Sequence, residues 1–253
     1  MTIYRGSDVS VWIDSSYAKR VQSFEATRSA PQGTVIELGH LGAKGVITGR
    51  TSYSARLVAN EAGQDLIGDL GLTSSLQAYI QSNPSGNSVN CIQGGLTSAV
   101  INSIVYRADV SGPATIEIGL IGSGWATYNT TTPADSGVAA YTRESCSVNV
   151  GDNVQRASIS ANIPVTVVYD LLSATVVGYM FGDPEVSAEI ECVHDGTTAW
   201  LPLTSQDIAI TIGSVTITAQ DCVSTREPHR GAIRSWATNI YNFKSTASNF
   251  TLS

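Results

Sequence analysis

The residues of this chain whose types and spacing could do chemistry are few: three histidines, four cysteines and two carboxylate pairs. His194-Asp195 is the one histidine beside a carboxylate, the minimal pairing for a general base. It follows an apolar run and precedes Gly196, so it reads as a turn; His40 and His229 have no such neighbour. Glu189/Glu191 and Asp183/Glu185 sit two apart, which on a strand puts each pair on one face. Glycosidase carboxylates must flank a sugar from both sides, so these pairs read as a solvated acidic face. Cys91, Cys146, Cys192 and Cys222 are separated by 55, 46 and 30 residues, without the close pairs of a zinc site, and read as buried or neutral thiols. No nucleophile elbow, P-loop, zincin helix or EF-hand loop occurs. Gly122-Ser-Gly124 and Gly94-Gly95 are too short to cradle a phosphate. Trp12, Trp125, Trp200 and Trp236 could stack on sugars, although core or interface roles are more frequent for tryptophan. The expectation is a protein without catalytic residues, metal or cofactor.

Composition narrows the partners. The chain has 253 residues and a net charge of −7, with a pI near 4.9. Nucleic-acid wrapping needs a basic face, and none is implied. Only 14% of residues are charged, against roughly 25% in an average domain, which suits a surface of Ser, Thr and Asn or one packed against neighbours. The N-terminus lacks the apolar segment of a secretion signal, and no run reaches the roughly 18 apolar residues of a membrane span. Synthesis in a cytosol is expected, and the sequons at Asn129 and Asn249 then carry no meaning.

The elements that would position any site are strands. Short Val-, Ile- and Thr-rich runs bounded by Gly, Pro, Asn or Asp occur at Ser10–Ile13, Thr34–Leu38, Ser54–Ala59, Thr115–Ile121, Val165–Tyr169, Val186–Val193 and Asp207–Thr218. Several alternate with period two, placing Ile116, Ile118 and Leu120 opposite Glu117, and Ile190 opposite Glu189 and Glu191. One helix is predicted at about 72–82. Leu72, Leu76, Tyr79 and Ile80 share a face, Ser74 and Gln77 fit a capping box, and Asn83–Asn87 ends it. A second helix is predicted around Gly231–Tyr241.

An internal repeat organises the chain. Val21–Gly63 lies over Val154–Gly196 at a constant separation of 133, without a gap, and ten of 43 positions are identical. Pro31/Pro164, Gly45/Gly178, Gly49/Gly182, Ser54/Ser187, Ala55/Ala188 and Gly63/Gly196 are among them. A further match places Ile101–Ala108 over Ile212–Ala219 at a separation of 111. The reading is mainly β: two tandem sandwich- or barrel-like domains, 1–125 (with the helix) and 138–253, joined by a Thr-, Gly- and Ser-rich linker at 126–137.

The order of elements in the first copy resembles the tail tube proteins of tailed bacteriophages. The residues that carry this are Gly6–Ile13, Val21–Arg28, Val35–Gly39 and Gly49–Glu61, closing at Gly63 before the helix. The resemblance covers about residues 3–125 directly and 140–253 through the repeat. It implies a structural virion protein of the phage tail, made in the host cytoplasm, whose β-sandwich or barrel domains form stacked rings. Single-domain members form hexameric rings; two-domain members form three-chain rings of pseudo-sixfold symmetry. The implied partners are copies of itself and other tail proteins, with DNA passing through the channel unbound and no membrane involved. Glu37, Glu117, Asp170, Glu189 and Glu191 are the candidates to line that channel, where negative charge repels phosphate. Two alternatives are a trimeric baseplate hub or tube-initiation protein, and a carbohydrate- or receptor-binding β-sandwich using exposed Trp and Tyr.

Overall fold

A computed structural model describes residues 11–14, 16–18, 20–35, 45–60, 64–72, 75–82, 86–91, 94–126, 146–150, 153–170, 176–193, 204–213, 215–226, 229–230 and 238–253. In the first half, Val11–Ile13 (β1), Ser16–Tyr17 (β2), Val21–Ser29 (β3), Gln32–Val35 (β4), Gly45–Thr48 (β5) and Ser52–Ala59 (β6) precede two short helices. These are Gln64–Asp69 (α1) and Leu76–Ser82 (α2), followed by Asn87–Cys91 (β7), Gly94–Asp109 (β8), Thr115–Gly122 (β9) and Gly124–Ala126 (β10). The second half carries Cys146–Val148 (β11), Val154–Asn162 (β12), Val165–Tyr169 (β13), Val176–Phe181 (β14), Glu185–Val193 (β15) and Gln206–Ile212 (β16). Val215–Arg226 (β17), His229–Arg230 (β18), Thr238–Ser245 (β19) and Phe250–Leu252 (β20) complete it. The protein is mainly β, as the alternation predicts, and most strands belong to one large antiparallel sheet; β4–β5 and β13–β14 form separate hairpins.

The strand order of the first half recurs in the second. β3 pairs β6, β6 pairs β9, β9 pairs β8, β8 pairs β7 and β7 pairs β1. β12, β15, β19, β17, β16 and β11 follow in the same succession. Registers agree residue for residue at the separation of 133. Phe24 opposes Leu57 and Ala157 opposes Ile190; Gly33 opposes Ile47 and Thr166 opposes Met180.

The repeated residues have local physical causes. Arg20 and Asn153 hold φ of 60° and 54°, and each carbonyl accepts the side-chain amide of Gln22 or Gln155 two residues on, at 3.2 and 3.1 Å. The β-bulge after Val21 or Val154 follows directly. Gly49 and Gly182 donate their N–H to the Pro31 and Pro164 carbonyls at 2.6 and 2.7 Å. A Cβ on Gly49 would stand 2.7 Å from the Pro31 ring, so proline and glycine are needed together.

The later strands repeat at a different separation. β8 and β17 each bulge while pairing β9 and β19, and Ser103/Gly119 corresponds to Arg226/Asn242, a separation of 123. The match of Ile101–Ala108 with Ile212–Ala219 is therefore corrected: Ile101 corresponds to Ser224, opposite Leu120 and Phe243 respectively. The stretch Asp207–Thr218 is two strands, with a turn at Gly213, whose φ is 61°.

Other expectations also shift. The helix predicted at 72–82 is α2, which starts at Leu76, with Ser75 Oγ accepting the Ala78 N–H at 3.0 Å, and α1 before it was not predicted. Ser74 lies outside the described residues. Leu72, Leu76 and Tyr79 are buried as the periodicity requires, and the Ile101 N–H donates to the Tyr79 hydroxyl at 2.7 Å. Of the helix predicted at Gly231–Tyr241, residues 238–241 are strand β19 and 231–237 lie outside the described residues. The predicted linker at 126–137 also lies outside them, save Ala126, which closes β10.

The halves meet edge to edge. β12 pairs β6's counterpart β15 on one side and β8 of the first half on the other, from Arg156↔Asp109 to Asn162↔Ser103. The core runs through this junction: Tyr106, Ala108, Ala157, Ile159 and Ala161 are all buried. The β13–β14 hairpin leans on the first half, the Tyr179 hydroxyl donating to the Ser98 carbonyl and Phe181 meeting Tyr79 edge-on at 6.4 Å.

Candidate functional site

Strand alternation gives the eight-strand run β3-β6-β9-β8-β12-β15-β19-β17 an apolar face and a polar one. Residues directly opposite share a face, so the polar face can be read in rows that cross both halves. One row runs Glu25, Arg56, Gly119, Ser103, Asn162, Glu185. A second runs Ser23, Val58, Glu117, Val105, Ser160, Ser187, Lys244. Two more run Thr115, Arg107, Ser158, Glu189, Asn242 and Asp109, Arg156, Glu191, Ile240. On β8, β12, β15 and β19 this face forms a groove of about 650 Å³, lined by Arg107, Ser158, Ser160, Glu189 and Asn242 among others.

The charges on this face are largely paired. The Arg56 guanidinium donates to both oxygens of Glu117, Nε at 2.6 Å and Nη2 at 2.7 Å. That bidentate contact, more than its Coulomb attraction, holds the Glu117 carboxyl below its ordinary value of 4.5. Arg156 bridges Asp109 at 3.2 Å and Glu191 at 3.6 Å, and Lys244 lies 3.6 Å from Glu185. Asp109 is also held below its ordinary value of 3.8, first by hydrogen bonds from the Ser111 hydroxyl and N–H, then by Arg156.

Of the five residues predicted to line a channel, Glu117, Glu189 and Glu191 come together on this face. Asp170 does not: it follows β13 in the separate hairpin, off the large sheet. Glu37 lies outside the described residues. The basic partners Arg56, Arg107, Arg156 and Lys244 escaped sequence reasoning, although the alternation that placed Glu117 could have placed Arg56 and Arg107. The face is hydrophilic and close to charge-balanced rather than strongly acidic.

The other candidates do not converge. His40, His194-Asp195, Trp200 and Trp236 lie outside the described residues. Cys91, Cys192 and Cys222 are buried and Cys146 is half-buried, none in a disulfide. Burial pushes Cys222 up to about 11 and raises Cys146 too, which opposes thiolate chemistry. Trp125 is 40% exposed and packs over Gly94, where a Cβ would meet its ring at 2.6 Å. Among the described residues, no group of three or more His, Cys, Asp and Glu could hold a metal ion, and no helix is long and apolar enough to cross a membrane. No protein-family model matches the chain, and no curated protein matches it.

Proposed function

We propose that this chain is a structural tail tube protein of a tailed bacteriophage, carrying two tube-like β domains in tandem. In this reading copies join head to tail into closed rings, and the rings stack around a channel through which DNA leaves the particle. The observation that carries it is the polar face, whose rows pass from one half into the other without a break. A sheet that has already joined two like units edge to edge is suited to continue around a ring, where closure pairs every edge strand.

The face suits a channel wall. Its cations are largely engaged by carboxylates, so it offers phosphate no basic groove in which DNA would stall. The chain then acts without catalysis or cofactor, in the virion tail, with its own copies and other tail proteins as partners. Three chains per ring follow from two domains filling two of six positions.

Negative-stain microscopy of purified protein at rising concentration, with light scattering, tests the reading. Rings with an open centre that stack into tubes are expected. A monodisperse monomer across a wide concentration range would overturn it, and rings that never stack would favour the baseplate hub. Replacing Glu117, Glu189 and Glu191 with Lys should leave rings intact and slow DNA ejection from assembled particles. Unchanged ejection kinetics would remove these residues from the channel wall.

A further inference from the structure

We infer that the outer edge of β3 docks a second copy of this chain, taking the free edges of β17 and β18 with Glu25 opposite Arg230, Ala26 opposite His229 and Ser29 opposite Arg226. The register comes from within the molecule. β12 stands where β3 stands, 133 residues on, and β17–β18 stands where the second part of β8 stands, 123 residues on. Inside the chain, β12 and β8 pair as Ser158↔Arg107, Ile159↔Tyr106 and Asn162↔Ser103. Carrying these pairs to the two equivalent strands gives the three contacts named above.

Among the described residues both edges are open: β3 pairs only β6, and residues 223–226 and 229–230 pair only β19. A nine-residue strand without proline is a long edge to leave bare. Its burial shows the missing neighbour: Ala26 is half-buried where its counterpart Ile159 is only 2% exposed. Because the two edges differ, the contact is heterologous: it closes into a ring or runs on as a filament.

The inference rests on the self-assembly proposed above in taking a second copy as occupant, but its register is tested separately. In a Cys146→Ser background, Ala26→Cys and His229→Cys are introduced together and each alone. Directly opposed residues lie about 4.5–5.5 Å apart, within disulfide reach. Mild oxidation should give a ladder of cross-linked chains for the double variant and none for either single variant. Ala26→Cys with Arg226→Cys, three residues out of register, should give none. A second variant, Ala26→Asp, should stay folded by circular dichroism and lose self-association at concentrations where the parent assembles. Assembly with a ladder only from the out-of-register pair, or with no ladder, would overturn the register and leave the tube reading standing. Absence of self-association by sedimentation in the parent would overturn both.

Discussion

β3 and β12 occupy the same place in the two halves, with the same bulge, the same following hairpin and the same register against the next strand. They differ in burial. Ala157, Ile159 and Ala161 of β12 are buried, while Phe24 and Ala26 of β3 are half-buried and Arg28 is exposed. The strand's fold does not create the difference; the second neighbour does, because β8 covers only β12. Side-chain choice follows: an arginine is tolerated at the β3 position whose β12 counterpart is an alanine in the core.

The sharpest way to break this comparison is to place one charge at both positions. Ile159→Asp buries an unpaired carboxylate at the junction and should cost on the order of 4 kcal/mol or more. Ala26→Asp in dilute, unassembled protein should cost less than about 1 kcal/mol. Urea denaturation of both variants measures the gap, and equal losses would mean that β3 is already covered.

Next in size is a test of whether the halves are one folding unit. Leu57 and Ile190 are equivalent and both fully buried. Leu57→Ala and Ile190→Ala should each cost about 2–5 kcal/mol. Since the β8–β12 ladder carries the core across the junction, each substitution should move one common calorimetric transition. Two transitions, only one of which moves, would make the halves independent.

Much of this comparison is legible in the sequence, because its causes are local. The bulge needs a residue that tolerates positive φ and a glutamine two residues on, and the hairpin base needs proline facing glycine; both leave identities at a fixed separation. The later strands leave few. Over residues 94–122 and their counterparts 123 on, the identities are Val100/Val223, Arg107/Arg230, Ala114/Ala237 and Thr115/Thr238. A strand in a half-buried sheet asks only for alternation, which many residues satisfy, and the halves differ in the connections before it: α1 and α2 lie between β6 and β7. The carboxylates Glu117, Glu189 and Glu191 were legible by period two. The pairing of Arg56 with Glu117 was not, since the two meet across 61 residues and only register brings them together.

A smaller effect separates the halves by pH. The counterparts of Arg56 and Glu117 are Glu189 and Ile240, which cannot form an ion pair. Glu117 is held below its ordinary value, so it contributes stability above about pH 4.5 that is lost as pH falls through its lowered folded value. Arg56 and part of Glu117 are exposed, so solvent screens the pair and the effect is modest. Glu117→Gln should lower the urea midpoint slightly at pH 7 and leave it close to the parent's at pH 3. An equal loss at pH 7 and pH 3 would contradict the pairing.

The smallest effect lies at the two corners where a long strand changes partners. β8 passes from β7 and β10 to β9 around Ser98, and β17 passes from β16 and β20 to β19 around Asp221. Both residues hold positive φ, 49° and 48°, at the point where the strand changes partners. Left-handed backbone costs most L-residues about 1–2 kcal/mol, and aspartate tolerates it better than serine. Glycine removes that strain but loosens the unfolded chain, which offsets part of the gain. Ser98→Gly should therefore raise stability by up to about 1 kcal/mol, and Asp221→Gly by less. The Tyr179 hydroxyl contact survives Ser98→Gly, because it is made to the backbone carbonyl. Thermal melts of the two variants side by side decide the order: a larger gain at Asp221, or a loss at Ser98, would mean that the corner is held by its side chain and not merely permitted by its backbone.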